Sequence, residues 1–141
     1  MIQNSIIEKY GLPGKDYNDK YLINWNVKDY YPWFPVPSFY VNKAFRDKLF
    51  SAFANLEQNN CHTQIKTFDG CFVVRDVRGS DNISLHSWGM AIDLNASLEP
   101  LGATTTNFSG QFIAIMKAQG IYWGGDWIHR KDPMHFALYN G

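Results

Sequence analysis

Ser84-Leu-His-Ser-Trp-Gly-Met-Ala-Ile-Asp-Leu-Asn95 decides how this chain is read, because it sets a histidine and an aspartate on either side of a bend. Met90 to Leu94 alternates as a strand does, with Met90, Ile92 and Leu94 on one face and Ala91 and Asp93 on the other. Asp93 can therefore leave the core side. Gly89, between His86 and that strand, permits a sharp bend or a close backbone approach, so the chain can bring His86 back over Asp93. The interval from His86 to Asp93 is too irregular for one helical face.

Toward the end of the chain stand Trp123-Gly-Gly-Asp-Trp127 and Asp132-Pro-Met-His-Phe136. Pro133 biases Asp132 toward an extended conformation, and His135, Ala137 and Tyr139 alternate with Phe136 and Leu138, again strand-like. Two histidines and an aspartate in separate segments are the ligand types of a catalytic zinc site, which takes three imidazole or carboxylate ligands and keeps a fourth position open. His86, Asp93 and His135 meet that requirement. Proton transfer then needs a carboxylate that is within reach and not consumed as a ligand, and Asp132 is the candidate. The arrangement differs from the helical signature with two histidines four apart and a glutamate between them; sheet and loop carry this one.

Taken together, these motifs resemble the M15 family of zinc peptidases, which comprises D-alanyl-D-alanine carboxypeptidases and dipeptidases and the phage and bacterial L-alanyl-D-glutamate endopeptidases. The family pattern S-x-H-x-x-G-x-A-x-D is matched by Ser84, His86, Gly89, Ala91 and Asp93, the W-G-G-D-W run by Trp123 to Trp127, and D-x-x-H by Asp132 and His135. The likeness spans roughly residues 62–139, and the helical stretch beginning at Asn42 is similar more loosely to the helix that precedes the core in phage-type members.

The resemblance implies one Zn2+ ion held by His86, Asp93 and His135, with Asp132 as general base. It also implies an upstream arginine that binds substrate and stabilises the oxyanion. Arg75, at the end of Gly70-Cys-Phe-Val-Val-Arg75, fits that place, and Arg78 is the alternative. Ser84 fits a substrate contact or a hydrogen bond holding the His86 loop, and Trp88 and Trp127 fit either cleft walls or core. Ala137 departs from the pattern, since many members carry Glu or Gln there. The implied fold is α+β of the Hedgehog and DD-peptidase kind, a small antiparallel sheet carrying the zinc site with helices packed on one side. The implied substrate is the stem peptide of peptidoglycan, cut between L-Ala and D-Glu as by endolysins, with a D-alanyl-D-alanine carboxypeptidase as the alternative. A non-catalytic wall-binding or virion structural module is the reading of another class, and Asp132 argues against it because a structural zinc site needs no base.

Composition bounds these expectations. A chain of 141 residues suits one domain, here a single catalytic unit over 1–141 with an amino-terminal arm and helix in 1–60 and the metal-binding core in 61–141. Hydrophobic content of 45% with 16% aromatic residues is ample for a core. A formal net charge of zero with scattered lysines and arginines gives no electrostatic grip on nucleic acid. No apolar run approaches the ~20 residues that would span a bilayer, so no membrane insertion is expected, and a monomer is. Met1 to Tyr10 lacks the basic start and apolar stretch of a secretory signal; the expectation is synthesis in the cytoplasm and access to the wall on lysis or from a phage particle. Cys61 and Cys71 are too few for a disulfide scaffold and are expected as buried reduced thiols.

Along the chain, Asn4 to Tyr10 predicts a short helix, and Tyr30 to Tyr40, with three prolines, predicts an extended arm across the core. Asn42 caps a predicted helix from Lys43 to about Leu56 that buries Phe45, Leu49, Ala52, Phe53 and Leu56. Gln64 to Lys66 and Cys71 to Val77 read as a hairpin around Asp69-Gly70. Ser109 to about Gln119 predicts a second helix stopped by Gly120, and Asp126 reads as a carboxylate serving the amides of its own glycine turn.

Overall fold

Changes of hydrophobic period mark where elements begin and end in the computed structural model, which describes residues 2–141. Helix α1 (Ile2–Tyr10) and helix α2 (Lys15–Tyr21) lead into strand β1 (Leu22–Trp25). Strand β2 (Phe39–Asn42) pairs antiparallel with β1, from Leu22 opposite Asn42 to Trp25 opposite Phe39. This two-stranded sheet was not legible as a pair of strands. Pro32, Pro35 and Pro37 all fall in the turns that precede β2, so none of them has to donate to the ladder. The stretch expected as an extended arm is thus a folded one, with Tyr31, Phe34 and Phe39 buried.

Helix α3 (Lys43–Gln58) starts where the sequence says it should, since the Asn42 Oδ1 accepts the Phe45 amide at 3.0 Å. Its buried residues are Phe45, Leu49, Ala52, Phe53 and Leu56, the predicted stripe. Each fully buried Phe or Leu of that stripe contributes about 1.5–3 kcal/mol. The face packs under Trp25, Tyr31 and Phe34, with the Trp25 and Phe53 rings stacked at 5.9 Å.

Strand β3 (Ala91–Asp93), helix α4 (Gly110–Ala118), strand β4 (Tyr122–Trp123) and strand β5 (His135–Ala137) complete an α+β fold. The sheet is antiparallel in the order β3-β5-β4. Ser109 caps α4 by accepting the Phe112 amide at 3.1 Å. The core side of the sheet, Ile92 opposite Phe136, lies against Phe108 and Phe112. Its other side presents Ala91 opposite Ala137 and then Asp93 opposite His135. Ala91 and Ala137 are fully buried, whereas Asp93 and His135 reach the cleft.

The predicted hairpin around Asp69-Gly70 does not form. Asp69 and Gly70 instead exchange backbone hydrogen bonds with Asp93 at 2.8 and 2.9 Å, and the Val73 amide donates to the His86 carbonyl at 3.0 Å. Asn95, in the left-handed region at φ 57°, holds this edge: its Oδ1 accepts the Lys66 and Thr67 amides and its Nδ2 donates to the Gln64 carbonyl. Residues 66–75 therefore lie along the segments that carry His86 and Asp93. Cys61 and Cys71 are free, buried thiols, and burial pushes Cys71 well above the ordinary thiol range.

Candidate metal centre

His86 sits in a 3-10 turn, Leu85–Trp88, whose start is fixed by Ser84: the Ser84 Oγ accepts the His86 amide at 3.2 Å. The turn ends at Gly89 in the left-handed conformation, φ 65°, where an added Cβ would stand 2.7 Å from Leu22 Cδ1 and 3.1 Å from the Asn42 amide nitrogen. Both reasons for a glycine there, the bend and the close approach, apply. Asp93 and His135 need no such device, because they are direct partners in the β3-β5 register and their side chains share one face.

One potential ligand atom from each of His86, Asp93 and His135 lies within 4.8 Å of the others. His86 Nδ1 is 2.8 Å from the Cys71 carbonyl oxygen. A carbonyl can only accept, so Nδ1 carries the hydrogen and Nε2 keeps a lone pair, directed at Asp93 Oδ2 3.3 Å away. His135 uses its nitrogens the other way round. Its Nε2 donates to the Gly141 carbonyl at 2.7 Å, and its Nδ1 faces Asp93 Oδ1 at 3.5 Å. Backbone carbonyls outside the triad thus fix both tautomers.

Burial pushes the Asp93 carboxyl upward, but the His135 and His86 imidazoles beside it outweigh burial and hold it well below the usual carboxylate range. It is an anion at neutral pH. Two imidazole lone pairs and a carboxylate then converge, and His86 Nε2 and Asp93 Oδ1 are buried without a hydrogen-bond partner. Such a cluster is self-repelling unless a proton or a cation sits inside it. Two nitrogens and one carboxylate oxygen are the donor set of catalytic zinc, so the residues present fit that ion.

Asp132 lies on the same wall. A turn joins it to His135, whose amide donates to the Asp132 carbonyl at 3.0 Å, with Pro133 at the position that favours its fixed φ. Its Oδ1 is buried without a partner, and burial raises its carboxyl above the ordinary value. Two carboxylates in one cleft are driven in opposite directions, Asp93 down and Asp132 up, a pattern that separates a ligand from a proton acceptor.

Trp123 to Trp127 proves to be a clamp for Asp132. A Cβ at Gly124 would stand 2.3 Å from the Asp132 carbonyl oxygen and 3.1 Å from both the Asp132 and His135 Cβ atoms. One at Gly125 would meet the Trp123 ring at 2.1 Å. The Trp123 indole donates to the Pro133 carbonyl at 2.8 Å, and Lys131 Nζ donates to the Gly125 and Trp127 carbonyls. Gly124→Ala is therefore expected to displace the Asp132 turn, lower stability by about 1–3 kcal/mol and weaken zinc binding together with activity. A variant with unchanged thermal midpoint and zinc affinity would show that the contact is not tight.

The site opens into a cleft of about 1180 Å³. Arg75, Arg78, Ser84 and Trp127 line it with the triad and Asp132. The Trp127 ring lies 5.1 Å from that of His135. Trp88 does not line it: it is fully buried, its indole donating to the Gly11 carbonyl at 3.0 Å, so it packs the core and walls no substrate. Asp126 is likewise corrected, since it pairs with Lys117 of α4 at 2.6 Å rather than with its own turn. Ser87, which sequence reading passed over, is fully buried and pins Arg75 by accepting its amide at 3.0 Å and donating to its carbonyl at 2.9 Å. A serine beside a ligand histidine gave no signal by itself.

Residues 78–138 match the M15 peptidase family model described as D-alanyl-D-alanine carboxypeptidase. That segment contains the three converging ligands, Asp132 and the whole glycine clamp, and it leaves Arg75 outside. In this segment, which carries the triad, the chain is similar to the M15 peptidases.

Proposed function

We propose that this protein is a zinc-dependent peptidoglycan peptidase that cuts the stem peptide between L-Ala and D-Glu. The observation that carries the peptidase reading is the convergence of His86 Nε2, Asp93 and His135 Nδ1 beside a partnerless Asp132 at the base of an open cleft. Cleavage within a peptide, rather than removal of one terminal residue, is supported by the size of the cleft. At about 1180 Å³ it exceeds the roughly 300–1,000 Å³ of small-molecule sites and has room for residues on both sides of the scissile bond.

His86 and His135 would hold the metal through the ring nitrogens not engaged by their backbone carbonyls, and Asp93 would supply the anionic ligand. When bound, zinc contributes Lewis-acid polarisation of the scissile carbonyl and a water acidified to a pKa of about 7. Asp132 would serve as the general base, its carboxylate taking a proton from the attacking water and giving it to the departing nitrogen. Arg75, its backbone pinned by Ser87, neutralises charge developing on the carbonyl oxygen, with Arg78 as the alternative. Trp127 helps to exclude water from one wall.

Purified peptidoglycan digested with the zinc-loaded protein should yield new D-Glu amino termini by mass spectrometry, and a chelator should abolish their appearance. Release of free D-Ala without a new D-Glu amine would instead establish the carboxypeptidase. Digestion that persists after complete metal removal would rule out the zinc mechanism.

A further inference from the structure

Four cationic side chains line the cleft: Arg75, Arg78, Lys117 and Arg130. Lys117 is neutralised by Asp126, whereas among the described residues no carboxylate pairs with any of the three arginines. The acids of the Arg75 to Arg78 loop do not compensate, because Asp76 and Asp81 stay off the cleft wall. The cleft, which also holds Asp93 and Asp132, thus carries three guanidinium groups without a direct ion pair among the described residues.

Two of these arginines are tied together. Arg130 Nη2 donates to the Arg78 carbonyl at 2.6 Å, which stitches the loop after Trp127 to the loop before the His86 turn. Gly79 leaves the room: even an added Cβ there would stand 3.9 Å from Arg130 Nη1. One donor of Arg130 is used in this way, and the remainder of its five-donor fork stays available for a planar anion. Its charge also acts on Asp132, lowering that carboxyl's proton affinity against the effect of burial. Arg130 lines the same cleft as Asp132, His86, Asp93 and His135.

Resting on the peptidase reading above, we infer that Arg130, braced on the Arg78 carbonyl, forms a carboxylate subsite that selects peptides bearing a free carboxylate next to the scissile bond over the same peptides amidated there. An arginine fork binds a carboxylate through charge-assisted, paired hydrogen bonds, and a neutral carboxamide offers one acceptor and two unwanted donors. The loss of such a contact corresponds to a tenfold to hundredfold change in affinity.

The test uses two synthetic stem peptides that differ only in having the D-Glu α-carboxylate free or amidated. Steady-state cleavage by the zinc-loaded protein should show kcat/KM at least tenfold higher for the free acid, with the difference in KM and not kcat. Raised salt should narrow the gap. Arg130→Gln should remove the preference while cleavage of the amidated peptide continues, and Arg130→Lys, which keeps the charge but not the fork, should restore only part of it. In parallel, equilibrium binding of both peptides to the zinc-loaded Asp132→Asn protein is measured by fluorescence anisotropy. Equal kcat/KM and equal binding of the two peptides overturn the subsite, as does a preference that survives Arg130→Gln. Preferential binding of the acid without cleavage of either peptide by the unsubstituted protein keeps the subsite and refutes the peptidase reading, and absence of both binding and cleavage refutes both.

Discussion

Asp132→Asn is expected to lower kcat by about 10²–10⁴-fold, the range for loss of a general base, while the protein still binds one zinc ion. The substitution keeps the shape of the side chain and removes only its capacity to take a proton. Asp132 faces the triad without being part of it, and its Oδ1 has no hydrogen-bond partner to lose. Stability should move the other way. Burial raises the Asp132 carboxyl above its unfolded value, so its favourable contribution is complete below the unfolded pKa and disappears as pH rises through the folded one. At neutral pH the ionised group therefore costs stability, and the metal-free Asp132→Asn variant should melt no lower than the parent. Undiminished turnover by that variant once loaded with zinc is the outcome that would sink the base assignment.

Asp93→Asn is expected to weaken zinc binding by about 10²-fold or more. Four-ligand zinc sites gain roughly 10–16 kcal/mol, about 3 kcal/mol per ligand, and an amide oxygen replaces a carboxylate poorly. Competition against a chromophoric chelator measures this directly. The parent's thermal midpoint should rise with added zinc, and that rise should shrink in the variant. Retention of parental affinity would show that the ion binds elsewhere. The acid side has a definite sign as well. Because Asp93 is held well below the usual carboxylate range, its contribution to the metal-free fold is present above its unfolded pKa and is lost only as pH falls through the depressed value.

Legibility differed between kinds of residue. Helices α3 and α4 could be read because their signals are local: Asn42 and Ser109 cap them, and the apolar stripe of α3 has helical spacing. The hairpin at Asp69-Gly70 failed because alternation tells that a segment is extended but not what it pairs with, and this one pairs with the backbone of Asp93 and His86. Trp88 was misplaced as a possible cleft wall because a large aromatic residue near a ligand reads the same whether it faces solvent or core. Arg130 gave no signal in the sequence, since its contact with the Arg78 carbonyl joins segments far apart in the chain.

The residue types of the candidate metal triad, their grouping in two motifs and the strand phase that turns Asp93 away from Met90, Ile92 and Leu94 were determined by sequence alone, because side-chain chemistry and a period of two are properties of consecutive residues. Folding decided which imidazole nitrogen points inward, which carboxylate is driven up and which down, and that Trp123 to Trp127 clamps Asp132. Each of those depends on burial or on a backbone carbonyl supplied by a distant segment, Cys71 for His86 and Gly141 for His135. Desolvation and hydrogen-bond geometry arise only when the chain has closed on itself.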